Sequence, residues 1–363
     1  EIRNCDWSSD VCSSDLDYGG IAYFDYLLYF EAPICFWVNF GINERLKMKA
    51  IQITQFGGPE VMQYVDLPEP TTVGSQVVLD VTAIGINYAD THQTENSYLS
   101  QQKLPLIPGM EVVGRMPDGS RVLALATAGG YCQKTLVNPR SVIPLPDAVS
   151  DGQALSMMVQ GTTAYWILKM MGNVKAGESV VVHAGAGGVG TIAIQLAKMW
   201  GAFVIAVTSS DEKKALCKEL GADVVVDAGV EDMKAALVSA NNNKPVDLVL
   251  EMVGGKTFDQ SLEALAPFGR LIFYGMASRT APKMINPGVL MPKSQTISGF
   301  WLVNALAKRE VMQQVFSELF GLIISGKLRP IVGATYPLSQ AQEAHRDMLA
   351  RKTVGKIVLD PAK

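Results

Sequence analysis

The sequence contains few cysteines, and they are not arranged in the patterns that bind metals or form cross-links. Five cysteines occur in 363 residues, none of them in a CxxC pair, and only Cys132 and Cys217 lie beyond residue 47. This excludes a disulfide framework and a cysteine-rich zinc lobe, and it is typical of a protein in the reducing cytoplasm. A chain of this length can bury a core large enough to fold without cross-links.

The sequence also lacks an excess of either charge beyond its first 47 residues. Of 35 acidic and 31 basic residues, eight and three fall within 1–47, which leaves 27 and 28 in the remainder. A near-neutral body does not attract a polyanion, so the composition argues against nucleic acid as a main partner. With 48% hydrophobic and 18% charged residues, the chain does not have the composition of a disordered protein either.

Residues 1–47 differ from the rest and are interpreted as an artefactual or disordered extension. Residues 6–16 read DWSSDVCSSDL, which back-translates in frame to a common short-read sequencing adapter. We therefore exclude 1–47 from the fold prediction and expect the protein to start at Met48. The apolar segment 21–40 is not predicted to span a membrane, because acidic residues interrupt it and charges are costly in a bilayer.

Two patterns follow one another along the body of the chain. From Met48 to about residue 160, short alternating apolar runs such as 76–87 are separated by Gly and Pro, which predicts an irregular antiparallel β domain. From about residue 161, apolar strands alternate with helices, which predicts a parallel sheet with helices on both faces. We expect one helix over 303–325 and a closing strand over 355–360.

A glycine-rich turn between a predicted strand and a predicted helix indicates a dinucleotide. Residues 183–190 read HAGAGGVG, which contains GxGxxG, and in this context the helix N-terminus attracts a pyrophosphate. Gly185 is expected to permit the tight turn, Gly187 to let the backbone approach the pyrophosphate, and Gly190 to let helix and strand pack closely. The predicted cofactor-binding residues of the turn are Gly185, Ala186, Gly187, Gly188, Val189 and Gly190.

The end of the next predicted strand indicates which dinucleotide is bound. NAD-binding folds place Asp or Glu there to bind the ribose 2′-OH, whereas this sequence has Ser209 and Ser210, followed by Lys213. Hydroxyl groups and an ammonium suit a 2′-phosphate, which a carboxylate would repel. Asp211 and Glu212 are interpreted as solvent-facing residues at the start of the next helix. The sequence therefore predicts NADPH.

Several segments, taken in order, resemble the zinc-independent NADPH:quinone oxidoreductases, the zeta-crystallin-like family of the medium-chain dehydrogenase/reductase superfamily. Besides the glycine-rich turn they are GINYAD (85–90), PGME (108–111), GTTAY (161–165), DLVLEMVGG (247–255), FGRLIFYGMAS (268–278) and GKIV (355–358). The resemblance covers 48–363 and is more specific for the family than for the substrate.

The resemblance implies an α/β architecture with two domains and an active site in the cleft between them. A GroES-like β-rich catalytic domain would comprise 48–161 and 298–363, and a Rossmann NADPH-binding domain would comprise 162–297. Asn87 and Thr163 are expected near the nicotinamide, with Lys356 reaching in from the C-terminal segment. The further residues expected to border the cofactor are Phe273, Tyr274, Gly275, Phe300, Trp301 and Leu302.

Three positions depart from the family pattern. Family members often have Arg four residues after the NYAD aspartate and Gly two residues later, where this chain has Thr94 and Asn96. A Tyr that often follows the strand after the second Rossmann helix is replaced by Ala228. The entrance to the substrate site and one adenosine contact are therefore expected to differ.

The motifs do not supply a set of zinc ligands. Zinc-dependent relatives use a Cys in the first catalytic loop and a His-Glu pair after Pro-Gly, where this chain has Asn87 and Met110-Glu111. Catalytic zinc usually takes three protein ligands. The three histidines are His92 near the expected cleft, His183 in a core strand and His345, which we expect on a surface helix. We therefore predict no metal.

A reaction without a Lewis acid favours a substrate that spreads the charge left by hydride transfer, such as a quinone or an α,β-unsaturated carbonyl. The predicted catalytic residues are Tyr88, to donate a hydrogen bond or proton to the carbonyl oxygen, Asn87, to fix ribose or substrate, and Asp90, to orient one of them. Tyr88 as an aromatic wall of the cleft is an equal alternative, and a local capping role for Asp90 is favoured over a base.

The sequence thus predicts a cytoplasmic enzyme that transfers hydride from NADPH to quinones, and the family resemblance implies a homodimer. A close alternative is reduction of the carbon–carbon double bond of an enone or enal with the same cofactor. A different class is a non-catalytic NADPH- or RNA-binding protein, although the near-neutral charge argues against RNA.

Overall fold

The computed structural model describes residues 46–97 and 99–363. Most of the predicted N-terminal extension, including the apolar segment 21–40, lies outside the described residues. Within the described part, no helix is both long and apolar enough to cross a membrane.

The first part of the body is a β-rich unit organised around one long strand. Its strands are β1 (Lys47–Gln52), β2 (Gln63–Pro68), β3 (Val77–Ile86), β4 (Glu111–Arg115), β5 (Arg121–Leu125), β6 (Lys134–Val137) and β7 (Ile143–Pro144). The alternating apolar run at 76–87 forms β3, which pairs antiparallel with both β4 and β6. Helix α1 (Tyr88–Glu95) follows β3 directly, so that strand carries the first candidate active-site segment.

A continuous helical segment connects the β-rich unit to the second sheet. It comprises α2 (Asp151–Ser156) and α3 (Thr162–Tyr165), which are joined and followed by wider π turns at Met157–Gly161 and Trp166–Met171. Ser150 begins the segment with a capping box, because its hydroxyl accepts the N–H of Gln153. The predicted domain boundary at 161/162 falls inside this helical segment.

The second part is a parallel sheet with helices on both faces. Its elements are β8 (Ser179–His183), α4 (Gly188–Met199), β9 (Phe203–Thr208), α5 (Asp211–Glu219), β10 (Val224–Asp227), α6 (Met233–Ala240), β11 (Val246–Glu251), α7 (Gly255–Glu263), β12 (Leu265–Phe273) and β13 (Thr296–Gly299). The strand order is β10-β9-β8-β11-β12-β13, and every pair is parallel. The order reverses between β8 and β11, and ligands of such sheets bind at this switch point.

Both faces of the parallel sheet are buried, which explains its continuous apolar strands. Val180 and Val182 pack into a core shared with α4 and α9 (Arg309–Ile324), whereas Val181 packs into a second core on the opposite face. Strands covered on both faces need apolar side chains at every position rather than at alternate ones.

The C-terminal part returns to the first sheet. Helices α8 (Leu302–Leu306) and α9 are followed by β14 (Val332–Pro337), α10 (Ala341–Leu349) and β15 (Lys356–Asp360), and β15 pairs antiparallel with β3. The predicted single helix over 303–325 is wrong. The backbone leaves the helical region at Lys308 (φ −90°, ψ 70°), because α9 buries a regular apolar face whereas α8 buries only Ala305. The predicted division at 297/298 cuts through β13.

Candidate active site

The glycine-rich turn lies at the carboxyl edge of the parallel sheet, between β8 and α4. Its one left-handed residue in this stretch is Ala184 (φ 51°), and the N–H of Gly187 donates to the Ala184 carbonyl at 2.8 Å. Gly185 lies inside this turn without a left-handed backbone, and its near neighbours leave little room for a side chain. A Cβ on Gly185 would lie 3.0 Å from both the Ala206 Cβ and the Cys217 Sγ.

The remaining glycines of the turn have different neighbours. A Cβ on Gly190 would overlap the backbone of Ala184 and Gly185, so the first turn of α4 packs directly on the preceding loop. A Cβ on Gly187 would find only Ala184 within 4 Å, so no side chain from another element crowds this one position. The first N–H groups of a helix have no partners within it, and they attract anions. We therefore expect a diphosphate to approach α4 at Gly187.

Gln160 is a buried residue of this region that the sequence analysis did not single out. A Cβ on Gly188 would overlap the Gln160 carboxamide, so the amide group lies directly on the first residue of α4. Gln160 is 7% exposed, and its Oε1 has no hydrogen-bond partner. Its position was not predictable from the sequence, because it depends on how the helical segment around residue 160 packs against α4.

The predicted 2′-phosphate residues lie together at the end of β9. The Ser210 hydroxyl caps α5 by accepting the N–H of Lys213 at 3.4 Å, and the Lys213 ammonium donates to the Arg351 carbonyl at 2.5 Å. Burial and the charge of Arg351 lower the pKa of Lys213. The side chains of Asp211 and Glu212 are exposed, as expected. Arg351 was missed because 138 residues separate it from Lys213.

Asn87 lies at the centre of a buried polar network under the start of α1. Its Nδ2 donates to Glu111 Oε1 at 2.9 Å, and its Oδ1 accepts from Lys356 Nζ at 3.1 Å. Lys356 and Glu111 are fully buried and form an ion pair. Burial lowers the pKa of Lys356 to about 7, although the charge of Asp90 acts in the opposite direction. The Lys356 ammonium thus fixes the Asn87 carboxamide through its Oδ1 atom.

Asp90 continues the network into the β-rich unit. One carboxylate oxygen accepts the Asn87 N–H at 2.9 Å and the Tyr131 hydroxyl at 2.8 Å. Burial raises the pKa of Asp90 to about 6. Tyr131 also contacts His345 Nε2 at 2.9 Å. These contacts are those of a capping residue, and Asp90 is fully buried.

The prediction that His345 lies on a surface helix is wrong. The residue is fully buried, because α10 packs Ala341, Ala344 and His345 against the β-rich unit. Burial lowers the pKa of His345 to about 4, so the ring is neutral near pH 7. The polarity of the neighbouring residues hides this packing from a reading of the sequence.

Tyr88 faces the loop that follows β12. Its hydroxyl donates to the Ala277 carbonyl at 3.0 Å, and the Arg279 guanidinium lies 5.1 Å from the ring centre. Arg279 also contacts three other residues of α1, and no pattern in the sequence indicates it. The Tyr88 hydroxyl is therefore engaged in this structure, and it must leave Ala277 to donate elsewhere.

The structure separates the aromatic residues expected at the cofactor. Phe273 packs edge-on against Phe258 at 5.1 Å in the core on one face of the parallel sheet. Tyr274 and Phe300 pack against the core on the other face, where Phe300 stacks on Trp166 at 6.3 Å. Of the other predicted residues of this group, Gly275 follows Tyr274, Trp301 stands at the N-cap position of α8 and Leu302 begins that helix. Thr163, which was expected near the nicotinamide, is buried in α3.

The donor set does not fit a catalytic zinc. In residues 46–97 and 99–363, no group of three or more His, Cys, Asp and Glu side chains is placed to hold a metal ion. At the position that resembles the zinc-binding pair, the Glu111 carboxylate is already bound by Lys356 and Asn87. A cation there would meet the buried ammonium of Lys356.

Comparison with known proteins identifies the family. Residues 74–147 match the alcohol dehydrogenase GroES-like domain, and residues 188–321 match the family described as zinc-binding dehydrogenase. A quinone oxidoreductase of Pseudomonas aeruginosa is 32% identical over 325 residues, which are 86% of this chain and 99% of that protein. The predicted combination of a GroES-like domain with a Rossmann parallel sheet is confirmed.

Solved structures agree with this assignment. The Escherichia coli quinone oxidoreductase complexed with NADPH is 31% identical and has a TM-score of 0.81, with 86% of this chain and 100% of that chain covered. The quinone oxidoreductase of Thermus thermophilus is 38% identical with a TM-score of 0.74 at the same coverage. The chain therefore belongs to the quinone oxidoreductase family of the medium-chain dehydrogenase/reductase superfamily.

Proposed function

We propose that the protein is an oxidoreductase that transfers hydride from NADPH to quinones. The observation that carries the cofactor choice is the cluster of Ser210, Lys213 and Arg351 at the end of β9, where an NAD-binding fold would carry a carboxylate. Relatives named quinone oxidoreductase, two of them solved with NADPH, support the same assignment.

The residues present fit NADPH at both ends of its charged portion. The N-terminus of α4, approached at Gly187, would hold the diphosphate, and Ser210 with Lys213 would hold the 2′-phosphate. To reach a phosphate, the Lys213 ammonium exchanges the Arg351 carbonyl for a charged oxygen, which favours its protonated form. When bound, NADPH supplies the hydride, and the protein supplies orientation and exclusion of water.

The buried network fixes Asn87, which we assign to the nicotinamide and substrate end of the cleft. Lys356 and Glu111 bind both ends of its carboxamide, so the group cannot rotate freely. A preorganised polar group loses little freedom when it binds a ligand. The quinone oxygen takes up one proton after hydride transfer, and the Tyr88 hydroxyl can deliver it once it leaves Ala277. Asp90 positions Asn87 and does not act as a base.

We propose that this reaction proceeds without zinc. The Glu111 carboxylate is engaged by Lys356 and Asn87, so the described residues offer no three-ligand set beside the cleft. A quinone distributes negative charge over a conjugated system, and hydrogen-bond donors are sufficient to stabilise it.

We also infer a homodimer formed along the edge of the parallel sheet. Strand β13 ends that sheet in the single chain, which leaves one side of its backbone unpaired. Large apolar side chains are exposed in the preceding segment, with Met284, Val289 and Met291 at 101%, 59% and 77%. An unpaired strand with exposed apolar neighbours is suited to a second copy of the same strand.

We also propose a cytoplasmic location, which is supported by the two cysteines of the described part, Cys132 and Cys217, both of them buried free thiols. Burial raises the pKa of Cys132 to about 12 and that of Cys217 to about 11. Thiols of this kind are unreactive and are typical of reducing compartments.

The test is consumption of NADPH by the full chain with 1,4-benzoquinone, 9,10-phenanthrenequinone and a 2-alkenal, with NADH as the matched cofactor control. We expect the quinones to oxidise NADPH faster than the alkenal, and NADPH to be preferred to NADH. A faster rate with the alkenal would identify a double-bond reductase instead. Binding of NADPH without turnover of any acceptor would refute the enzymatic assignment.

A further inference from the structure

The loop after β12 presents one arginine to the opposite side of the cleft. The loop is anchored to its own sheet, because the N–H groups of Ala277 and Ser278 donate to the carbonyls of Met252 and Val253, each at 2.9 Å. Arg279 then adopts a left-handed backbone conformation (φ 59°). Because a non-glycine residue rarely adopts it, this conformation must be held by other contacts.

One of them is a backbone turn, in which the Arg279 N–H donates to the Met276 carbonyl at 3.0 Å, and the others are made by the Arg279 guanidinium, which reaches across to α1. Nε and Nη2 donate to the two Glu95 carboxylate oxygens at 3.0 and 3.2 Å, which is a bidentate pair. Nη1 contacts His92 Nε2 at 2.8 Å, and Nη2 donates to Thr91 Oγ1 at 2.8 Å. We call Thr91, His92, Glu95 and Arg279 the cleft clasp. It joins residues 184 to 188 positions apart in the chain.

The cleft clasp determines the relative position of two groups that the reaction needs. Helix α1 begins immediately after Asn87, and its first residue, Tyr88, contacts both Arg279 and Ala277. The loop on the other side continues from Tyr274 and Gly275, which we assign to the border of the cofactor. If the Arg279 side chain is shortened, the distance between α1 and the loop after β12 is therefore no longer fixed by these contacts.

The arginine that binds α1 comes from outside that helix, whose own residue 94 is a buried threonine that donates to the Thr91 carbonyl at 3.0 Å. The guanidinium reaches α1 from the loop after β12 rather than from within α1. Arg279 and Glu95 keep 29% and 30% of their side-chain surface exposed, so neither forms part of a hydrophobic core. Loss of the pair therefore affects the width of the cleft more than the stability of either sheet.

We propose that Arg279 is a positioning residue for the acceptor, and that the cleft clasp sets the width of the acceptor site between α1 and the loop after β12. This inference rests on the proposed quinone reductase function. An arginine is required because only a planar guanidinium can bind Glu95 through two bonds while reaching His92 and Thr91. A wider cleft should therefore weaken binding of the acceptor and leave binding of the adenosine half of the cofactor unchanged.

The test compares Arg279→Met, Arg279→Lys and the charge exchange Arg279→Glu with Glu95→Arg in the full chain. The matched control is Arg329→Met, which removes a more exposed pair with Glu219 on another surface. Steady-state kinetics with 1,4-benzoquinone give KM for the quinone and for NADPH, and hydrogen exchange follows the amides of residues 275–280 and of α1.

For Arg279→Met we expect the quinone KM to rise by about tenfold, the KM for NADPH to change by less than about twofold, and exchange to increase in both segments. Arg279→Lys should raise the quinone KM nearly as much as Arg279→Met, because an ammonium cannot make the bidentate pair. The charge exchange should recover part of the quinone KM, and Arg329→Met should match the original chain.

An unchanged quinone KM and unchanged exchange in Arg279→Met would overturn the proposal, and so would an equal rise in both KM values. The proposed function has its own refutation: the unaltered chain would fail to oxidise NADPH with any of the quinones tested. In that case hydrogen exchange still decides whether the clasp holds the loop to α1, and unchanged exchange refutes it.

Discussion

Lys213 is the residue to which we assign recognition of the 2′-phosphate. Its ammonium is half-buried near the end of β9 and donates to the backbone carbonyl of Arg351. Its neighbour Lys214 pairs with Asp211 at the start of the same helix and with Asp227 at the end of β10. Two adjacent lysines therefore have different partners, which makes one a control for the other.

Replacing Lys213 by Met should weaken NADPH binding and leave NADH binding unchanged. A hydrogen bond to a charged group contributes about 1.5–3 kcal/mol, so we expect Kd for NADPH to rise by about 10- to 100-fold. Fluorescence titration with each coenzyme measures this, with Lys214→Met as the control. An equal loss for both coenzymes would show that Lys213 supports the fold and not the phosphate.

His183 provides a test of stability against pH at a single buried group. It lies at the end of β8, it is 1% exposed, and its Nε2 contacts the Ser261 hydroxyl at 2.9 Å. Burial lowers its pKa from 6.5 to about 4. Because the folded-state pKa lies below the unfolded one, the stability contributed by the neutral ring is present above pH 6.5 and is lost as the pH falls toward 4.

His183→Gln should therefore reduce the loss of unfolding free energy between pH 7.5 and 4.5, by up to about 3 kcal/mol. Urea unfolding at each pH measures it. Ser261→Ala removes the partner but keeps the titrating ring, so it should lower stability by a similar amount at every pH. Protonation of Asp90 in the same pH range changes the unfolding free energy in the opposite direction. This contribution is present in the original chain and in both variants, so it cancels in the comparison. A variant with the pH dependence of the original chain would contradict the assignment.

At the scale of elements, the turn between β8 and α4 was predictable because its signal is local. An apolar strand, a glycine pattern and an apolar helix follow one another within 21 residues, and each step restricts the next. Which neighbour each glycine packs against was not predictable, because some of these neighbours belong to distant elements. Gly188 meets Gln160 from the connecting helical segment, whereas Gly190 meets only its own turn.

This difference predicts unequal effects of two alanine substitutions. Gly190→Ala places a methyl group against the backbone of Ala184 and Gly185, which cannot move without opening the turn, so NADPH binding should be lost. Gly188→Ala meets only the end of a side chain, and the second substitution Gln160→Ala should restore binding. Thermal unfolding and NADPH titration measure both effects. Equal damage from the two substitutions, with no rescue, would show that the loop tolerates neither for another reason.

Distant contacts also explain which residues of the site were missed. The cleft clasp, the Arg351 carbonyl on Lys213 and the burial of His345 all join segments more than 130 residues apart, and no spacing in the sequence indicates such contacts. Lys356 is expected at the site through the family resemblance, but its place under Asn87 required the structure. The break between α8 and α9 was missed because no proline or glycine marks it.

At the scale of the whole molecule, the edge of the parallel sheet predicts association. We expect light scattering to give twice the 39.1 kDa of one chain. Replacing both Val289 and Met291 by Lys should convert the protein to a monomer, because two charges would be buried at the joined edges. Met170→Lys is the control, since Met170 is also exposed but lies at the end of the connecting helical segment, outside the parallel sheet. A dimer that resists the double substitution would place the interface elsewhere.

The pairing of β15 with β3 has a consequence for biosynthesis. The parallel sheet is contiguous in the chain, so it can emerge from the ribosome as a unit and fold while translation continues. The β-rich unit cannot, because β3 lacks one neighbour until β15 has been synthesised, 270 residues after the strand end it covers. Lys356, which binds the Asn87 side chain, belongs to that late strand, so all strands of the parallel sheet are synthesised before the Asn87 network can be completed.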